Sequence, residues 1–298
     1  MEDQIENYGS KNIEPLLHTF RENCTDFEAV AKIEQLYQAD LTLRQGHTIK
    51  IYKKAGNFDL DAHIFLPPDW KRADRRPAIV FFHGGSWHQG KPEWMYPSCQ
   101  KYASLGLVAI APEYRLYDRH GTTPLECISD AKSLFRWLRE NADELGIDPN
   151  KIAAYGFSAG GHLIACAAML NILNEPQEDM LVSSAPNLMI LSSACFDPAL
   201  DSWFVQQVKK RLTPESCSPN HNIRPGLPPA LVIHGSEDKM CPYWTAQLFT
   251  EKMQEAGNQC ELVTLEGAEH FYFMQDNYRA QAGQATQEFL ISAGYLTP

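Results

Sequence analysis

The 298 residues carry 37 acidic against 26 basic side chains, a formal net charge of −11, and 44% of them are hydrophobic. This is the composition of a globular chain long enough to bury one large core. Its charge argues against a nucleic-acid or anionic-membrane surface and favours uncharged partners, a small molecule or a second copy of the chain in a homodimer.

Met1 is followed by Glu2, Asp3, Gln4 and Glu6 rather than by a basic start and an apolar stretch, and no run could cross a membrane. The expected location is therefore cytoplasmic, or secreted if a leader has been removed. Residues up to about 40 are polar, with Phe27, Val30, Ile33 and Tyr37 at near-helical spacing, which predicts a small N-terminal cap segment over 1–40. Next come two alternating stretches, 48–52 and 60–66, on either side of Gly56-Asn57. They predict an antiparallel hairpin with Ile49, Ile51, Leu60, Ala62, Ile64 and Leu66 on one face.

From Pro77 the pattern changes to continuous apolar runs separated by helical segments, as parallel strands covered on both faces require. The runs are 79–82, 107–111, 152–155, 188–192, 230–233 and 262–265. Between the second and third, Ile128, Ala131, Phe135, Leu138, Ala142 and Leu145 recur at three- and four-residue steps, predicting a single helix closed by Gly146. The insertion 198–229 interrupts the alternation and reads as a lid. The expected architecture is one α/β domain over 1–298, a mostly parallel sheet with helices on both faces and an N-terminal antiparallel hairpin.

Four loops at strand ends carry candidate chemistry. Gly156-Phe157-Ser158-Ala159-Gly160 lies between an apolar run and a small-residue stretch, the strand–turn–helix setting in which a serine hydroxyl is thrust off the sheet edge; Gly156 and Gly160 remove side chains that would collide there. The run 230–233 leads into His234-Gly235-Ser236-Glu237-Asp238, and 262–265 into Glu266-Gly267-Ala268-Glu269-His270. Ser158, Asp238 and His270 thus form a candidate nucleophile, acid and base in that chain order. Upstream, 79–82 runs into His83-Gly84-Gly85-Ser86-Trp87, where bare glycines let backbone N–H groups approach a ligand. Gly84, Gly85 and Ala159 are the candidate oxyanion donors. Asp197 competes with Asp238 for the acid role. Asp130 reads as a structural anchor, and His83 and His234 as structural histidines bonded to loop backbone. Trp87, Trp203 and Phe271 are candidate pocket walls.

These residues carry a resemblance. From about 77 to 273 the chain resembles the α/β-hydrolase superfamily, in the esterase/lipase group with a His-Gly-Gly loop, close to the hormone-sensitive-lipase-like and carbohydrate acetyl or feruloyl esterase branches. Glu113-Tyr114-Arg115-Leu116 and Gly146-Ile147-Asp148-Pro149 support it. The run His234 to Pro242 is similar to the family's H-G-x-x-D-x-x-V-P, with Cys241 in place of valine. Ser86 stands where many relatives carry a third glycine, and His-Gly-Gly-Ser-Trp also looks like arylformamidases.

The resemblance implies a serine carboxylesterase, with an arylformamidase or related amidase as the alternative; a short, aromatic-lined acyl pocket walled by Trp87, Trp203 and Phe271 favours short acyl, acetyl-type esters of sugars or small alcohols. The scheme requires no metal and no organic cofactor. The eight cysteines show no C-x-x-C pair or ligand spacing and read as reduced, buried thiols.

Overall fold

The computed structural model describes residues 46–298; the cap expected over 1–40 lies outside the described residues. In chain order the elements are β1 (His47–Ala55), β2 (Phe58–Phe65), β3 (Arg76–Phe82), α1 (Tyr96–Ser104), β4 (Val108–Pro112), α2 (Tyr117–His120), α3 (Pro124–Glu140), α4 (Ala142–Leu145), β5 (Ile147–Phe157), α5 (Ala159–Met169), β6 (Leu188–Ser192), α6 (Ser202–Val208), β7 (Ala230–Gly235), α7 (Tyr243–Glu255), β8 (Cys260–Leu265) and α8 (Asp276–Ser292). The strands form one eight-stranded sheet in the order β1-β2-β4-β3-β5-β6-β7-β8. Strand β2 runs against both of its neighbours, and every pairing from β4 onward is parallel. This is the α/β-hydrolase fold. No helix among the described residues is long and apolar enough to cross a membrane.

Alternation along the central strands divides the interior in two. Ala78, Val80 and Phe82 of β3 face a cluster containing Phe135 of α3 and Leu163 of α5, while Ile79 and Phe81 face one containing Tyr102 of α1 and Phe289 of α8. Both faces are therefore dry, and burial of each such aromatic or aliphatic side chain stabilises by about 1.5–3 kcal/mol.

The hairpin forms around Gly56-Asn57, but its faces differ from the sequence reading. Leu60, Ala62 and Ile64 are buried, whereas Ile49 and Ile51 are about half exposed. In the antiparallel register Ala62 lies opposite Lys50 and Ile64 opposite Thr48, so Ile49 and Ile51 occupy the other face. A bulge between Ile51 and Lys53 then shifts the alternation and turns Tyr52 and Lys53 inward. The Lys53 ammonium meets the Asp130 carboxylate at 2.7 Å, and Asp130 also accepts from the Arg115 guanidinium, which is the anchoring role expected of it.

The long helix is also divided. Thr123 caps α3 in a reciprocal box with Glu126, and Pro124 occupies its first turn. The helix stops at Glu140, Asn141 turns its amide back onto the Trp137 carbonyl at 2.8 Å, and α4 closes separately on Gly146, whose φ of +64° suits glycine.

Candidate active site

Strand β5 delivers Ser158 at φ +53°, ψ −119°, a backbone conformation that L-residues rarely adopt. The turn is tight enough that a β-carbon on Gly156 would lie 2.5 Å from the Gly160 carbonyl, and one on Gly160 2.4 Å from the Phe82 carbonyl oxygen. The Ser158 amide donates to the Ser192 carbonyl at 2.9 Å, which ties the turn to β6. Helix α5 starts at the next residue, so its positive end lies beside the hydroxyl.

His270 reaches Ser158 from the loop after β8: its Nε2 is 3.1 Å from Ser158 Oγ and its Nδ1 2.8 Å from Asp238 Oδ2. The other Asp238 oxygen accepts from the backbone amides of Met240 and Cys241 at 2.9 and 2.8 Å. Burial alone would raise the Asp238 pKa. The His270 and His234 imidazoles and their hydrogen bonds outweigh it and hold the carboxyl well below the usual range. His234 Nε2 is 2.7 Å from the Cys241 carbonyl and 3.2 Å from Asp238 Oδ2; both are acceptors, so Nε2 carries the proton. The acid and base loops are pressed together, since a β-carbon on Gly235 would lie 2.2 Å from the Ala268 carbonyl oxygen. Asp197, the competing acid, pairs instead with His221 at 3.3 Å.

The His-Gly-Gly loop lies against the nucleophile, and Gly84 and Gly85 line the same cavity as Ser158. Ser86 and Trp87 both adopt positive φ, +54° and +58°. His83 Nδ1 donates to the Gly84 carbonyl at 2.6 Å, and Tyr114 Oη donates to the His83 carbonyl at 2.9 Å. Burial pushes the His83 pKa down to about 4, so at neutral pH the ring is an uncharged brace. Trp87 plays a similar part. Its indole N–H donates to His162 Nδ1 at 3.1 Å, His162 Nε2 donates to the Cys217 carbonyl at 2.8 Å, and the indole packs on Phe204. His162 sits on α5 four residues after Ser158; sequence reasoning missed it, although Gly160-Gly161-His162 continues directly from the elbow.

A cavity of about 720 Å³ opens beside Ser158 and His270. Trp203 and Phe271 are in its wall, as expected, together with Phe157, Phe273 and Trp94, which the sequence reading had not singled out. Lys101 of α1 and Arg279 of α8 also line it. Trp87 is not part of this wall. It is buried, held by His162, and borders a recess of about 10 Å³ beside Ser158. Of the residues 198–229, Asp201 and Trp203 reach the cavity, whereas Phe204 is buried in the core. The seven described cysteines are all buried and none is disulfide-linked.

Residues 62–253 match the BD-FAE family. The chain belongs to the BD-FAE family. It is 30% identical to the esterase LipC of Mycobacterium tuberculosis over 236 residues, 70% of this chain and 57% of LipC. It is 28% identical to the carboxylesterase NlhH of the same organism over 227 residues, 70% of this chain and 69% of NlhH. The chain thus spans little more than half the length of the first of these relatives. Among solved structures, apo Thermogutta terrifontis esterase 2 superposes with a TM-score of 0.81 at 43% identity, covering 85% of this chain and 97% of that one. The same esterase has also been seen phosphorylated by paraoxon and with propionate bound. The chain is accordingly an α/β-hydrolase of the esterase/lipase group.

Proposed function

We propose that the protein is a carboxylesterase that cleaves short acyl, acetyl-type esters through an acyl-enzyme. The observation that carries this reading is the unbroken line Ser158 Oγ, His270 Nε2, His270 Nδ1, Asp238 Oδ2, with links of 3.1 and 2.8 Å. As Ser158 Oγ bonds to the ester carbonyl carbon, its proton passes to His270 Nε2 and the carbonyl electrons move onto oxygen, facing the amides of Gly84 or Gly85 and Ala159. Collapse of this intermediate breaks the C–O bond, and His270 returns the proton to the departing alcohol. Water then repeats the sequence and frees the acid and Ser158. Asp238 stays ionised throughout, holding the ring in one tautomer and stabilising the imidazolium.

The esterase relatives and the propionate complex of the Thermogutta enzyme support short acyl groups, and the mainly apolar cavity, with Trp94, Phe157, Trp203, Phe271 and Phe273 in its wall, favours an apolar partner over a sugar. The test is hydrolysis of p-nitrophenyl acetate against N-formylkynurenine, with Ser158→Ala as control. Faster Ser158-dependent turnover of the acetate is expected. Preference for the formamide would replace this reading with the arylformamidase one, and activity retained by Ser158→Ala would remove the mechanism.

A further inference from the structure

Two spaces of very different size meet at Ser158, the cavity of about 720 Å³ and the recess of about 10 Å³, and Ser86, Asp201 and Met240 stand in the walls of both. Resting on the esterase reading above, we propose that the site selects esters with one methyl-sized arm and one bulky aromatic arm, and that Met240 is a specificity-determining residue that sets the smaller limit.

The tetrahedral carbon formed on Ser158 has three further substituents to place. One is the oxyanion, which faces the backbone amides. The other two, the acyl substituent and the alkoxy group, are placed one in each space, the smaller beside Ala159, whose amide faces the oxyanion. A volume of about 10 Å³ is close to that of a single water-sized sphere, so the recess admits a methyl group and little more.

Most of the recess is rigid. Trp87 is fixed by His162 and Phe204, and Cys195 and Cys241 are each only 5% exposed. Asp201 is held by its carboxylate, which accepts from the Trp203 and Phe204 amides at 2.8 and 3.0 Å. Met240 is half-buried and unbranched, and is the one wall able to give.

The large space has the size of a pocket for a drug-sized ligand, and its aromatic walls suit a ring system rather than a polyol. An acetate of an aromatic alcohol and a methyl ester of an arylalkyl acid have this same shape, entered from opposite sides of the carbonyl.

Two substrate pairs presented to the full chain separate them: naphthyl acetate against naphthyl butyrate, and methyl against butyl naphthylacetate. In at least one pair the one-carbon arm is expected to be preferred about tenfold or more in kcat/KM, since each methylene without a place is worth roughly that factor. The pair that shows the preference tells which side of the ester enters the recess. Met240→Ala should narrow the preference several-fold, whereas Met240→Leu, a control of similar volume and fold, should keep it.

Ser158-dependent hydrolysis of all four esters with less than about a twofold preference in either pair would overturn the size limit while leaving the esterase reading intact. An unchanged preference in Met240→Ala, with its circular dichroism matching the parent, would overturn the role of Met240. Failure of all four esters together with p-nitrophenyl acetate would overturn the underlying reading as well.

Discussion

Gly84 and Ser158 are so close that a β-carbon on Gly84 would lie 3.2 Å from the β-carbon of Ser158 and 2.8 Å from the Phe157 ring. The oxyanion loop and the nucleophile turn therefore share one van der Waals boundary, and neither can shift without the other. Gly84→Ala should lower kcat about a hundredfold, as misplacements of about 1 Å do, while KM changes little. Steady-state kinetics on p-nitrophenyl acetate would check this, and a kcat within a few-fold of the parent would count against the boundary.

Removal of either end of the hydrogen-bonded line should be severe. Asp238→Asn should lower kcat by about 10⁴, because the amide can donate to His270 Nδ1 and favour the wrong tautomer; Ser158→Ala should cost at least as much. Ser158→Ala should unfold at close to the parent temperature, since it opens no cavity, whereas Asp238→Asn should also lose stability, because the ionised carboxylate is what His270, His234 and the amides of Met240 and Cys241 hold. A large loss of stability in Ser158→Ala would show that the hydroxyl's role is structural.

Gly160→Ala tests the backbone directly. Its β-carbon would sit 2.4 and 2.6 Å from the carbonyl oxygens of Phe82 and His83, atoms that cannot rotate away. A loss of about 3 kcal/mol or more in denaturant unfolding is expected.

Neighbouring aromatics on α6 should separate binding from stability. Phe204 is fully buried, and Phe204→Ala should destabilise by about 3–5 kcal/mol. Trp203 lines the cavity, and Trp203→Ala should instead raise KM for naphthyl esters with a much smaller effect on unfolding. Equal stability losses in the two variants would place Trp203 in the core.

Two buried histidines set a pH dependence. Desolvation lowers His83 and His162 from 6.5 to about 4 in the folded chain. The unfolded state therefore binds more protons between these values, and stability rises with pH across that window. Their contribution is complete above about pH 6.5 and is lost as the pH falls toward about 4, with a few kcal/mol at stake for each ring. Denaturant titrations at several pH values should show a net uptake of protons on unfolding in this range, to which His47, His63 and His120, also lowered by burial, add and from which His221, raised by Asp197, subtracts; no uptake would contradict the assignment.

The sheet was legible because its central strands are covered on both faces, so runs such as Ala78-Ile79-Val80-Phe81-Phe82 are apolar without interruption. The elbow was legible because Gly156 and Gly160 answer to sterics within five residues. The hairpin face was not, because a bulge at Tyr52 breaks a two-residue period that the sequence still displays. Trp87 was placed in the pocket because an aromatic beside an oxyanion loop has two choices, and the His162 nitrogen that decides between them is 75 residues away. Lys101 and Arg279 could not be connected with the cavity before α1 and α8 were seen to flank it.

The left-handed backbone at Ser86 has one more consequence. A non-glycine residue held at φ +54° carries on the order of 1 kcal/mol of conformational strain, and Trp87 and Ser158 add theirs within the same few ångströms. Ser86→Gly relieves that strain but adds comparable freedom to the unfolded chain, so its unfolding temperature should stay within a few degrees of the parent's. All three residues stand in loops just past the ends of β3 and β5, so the strain is gathered at the reaction centre and the strands themselves are free of it.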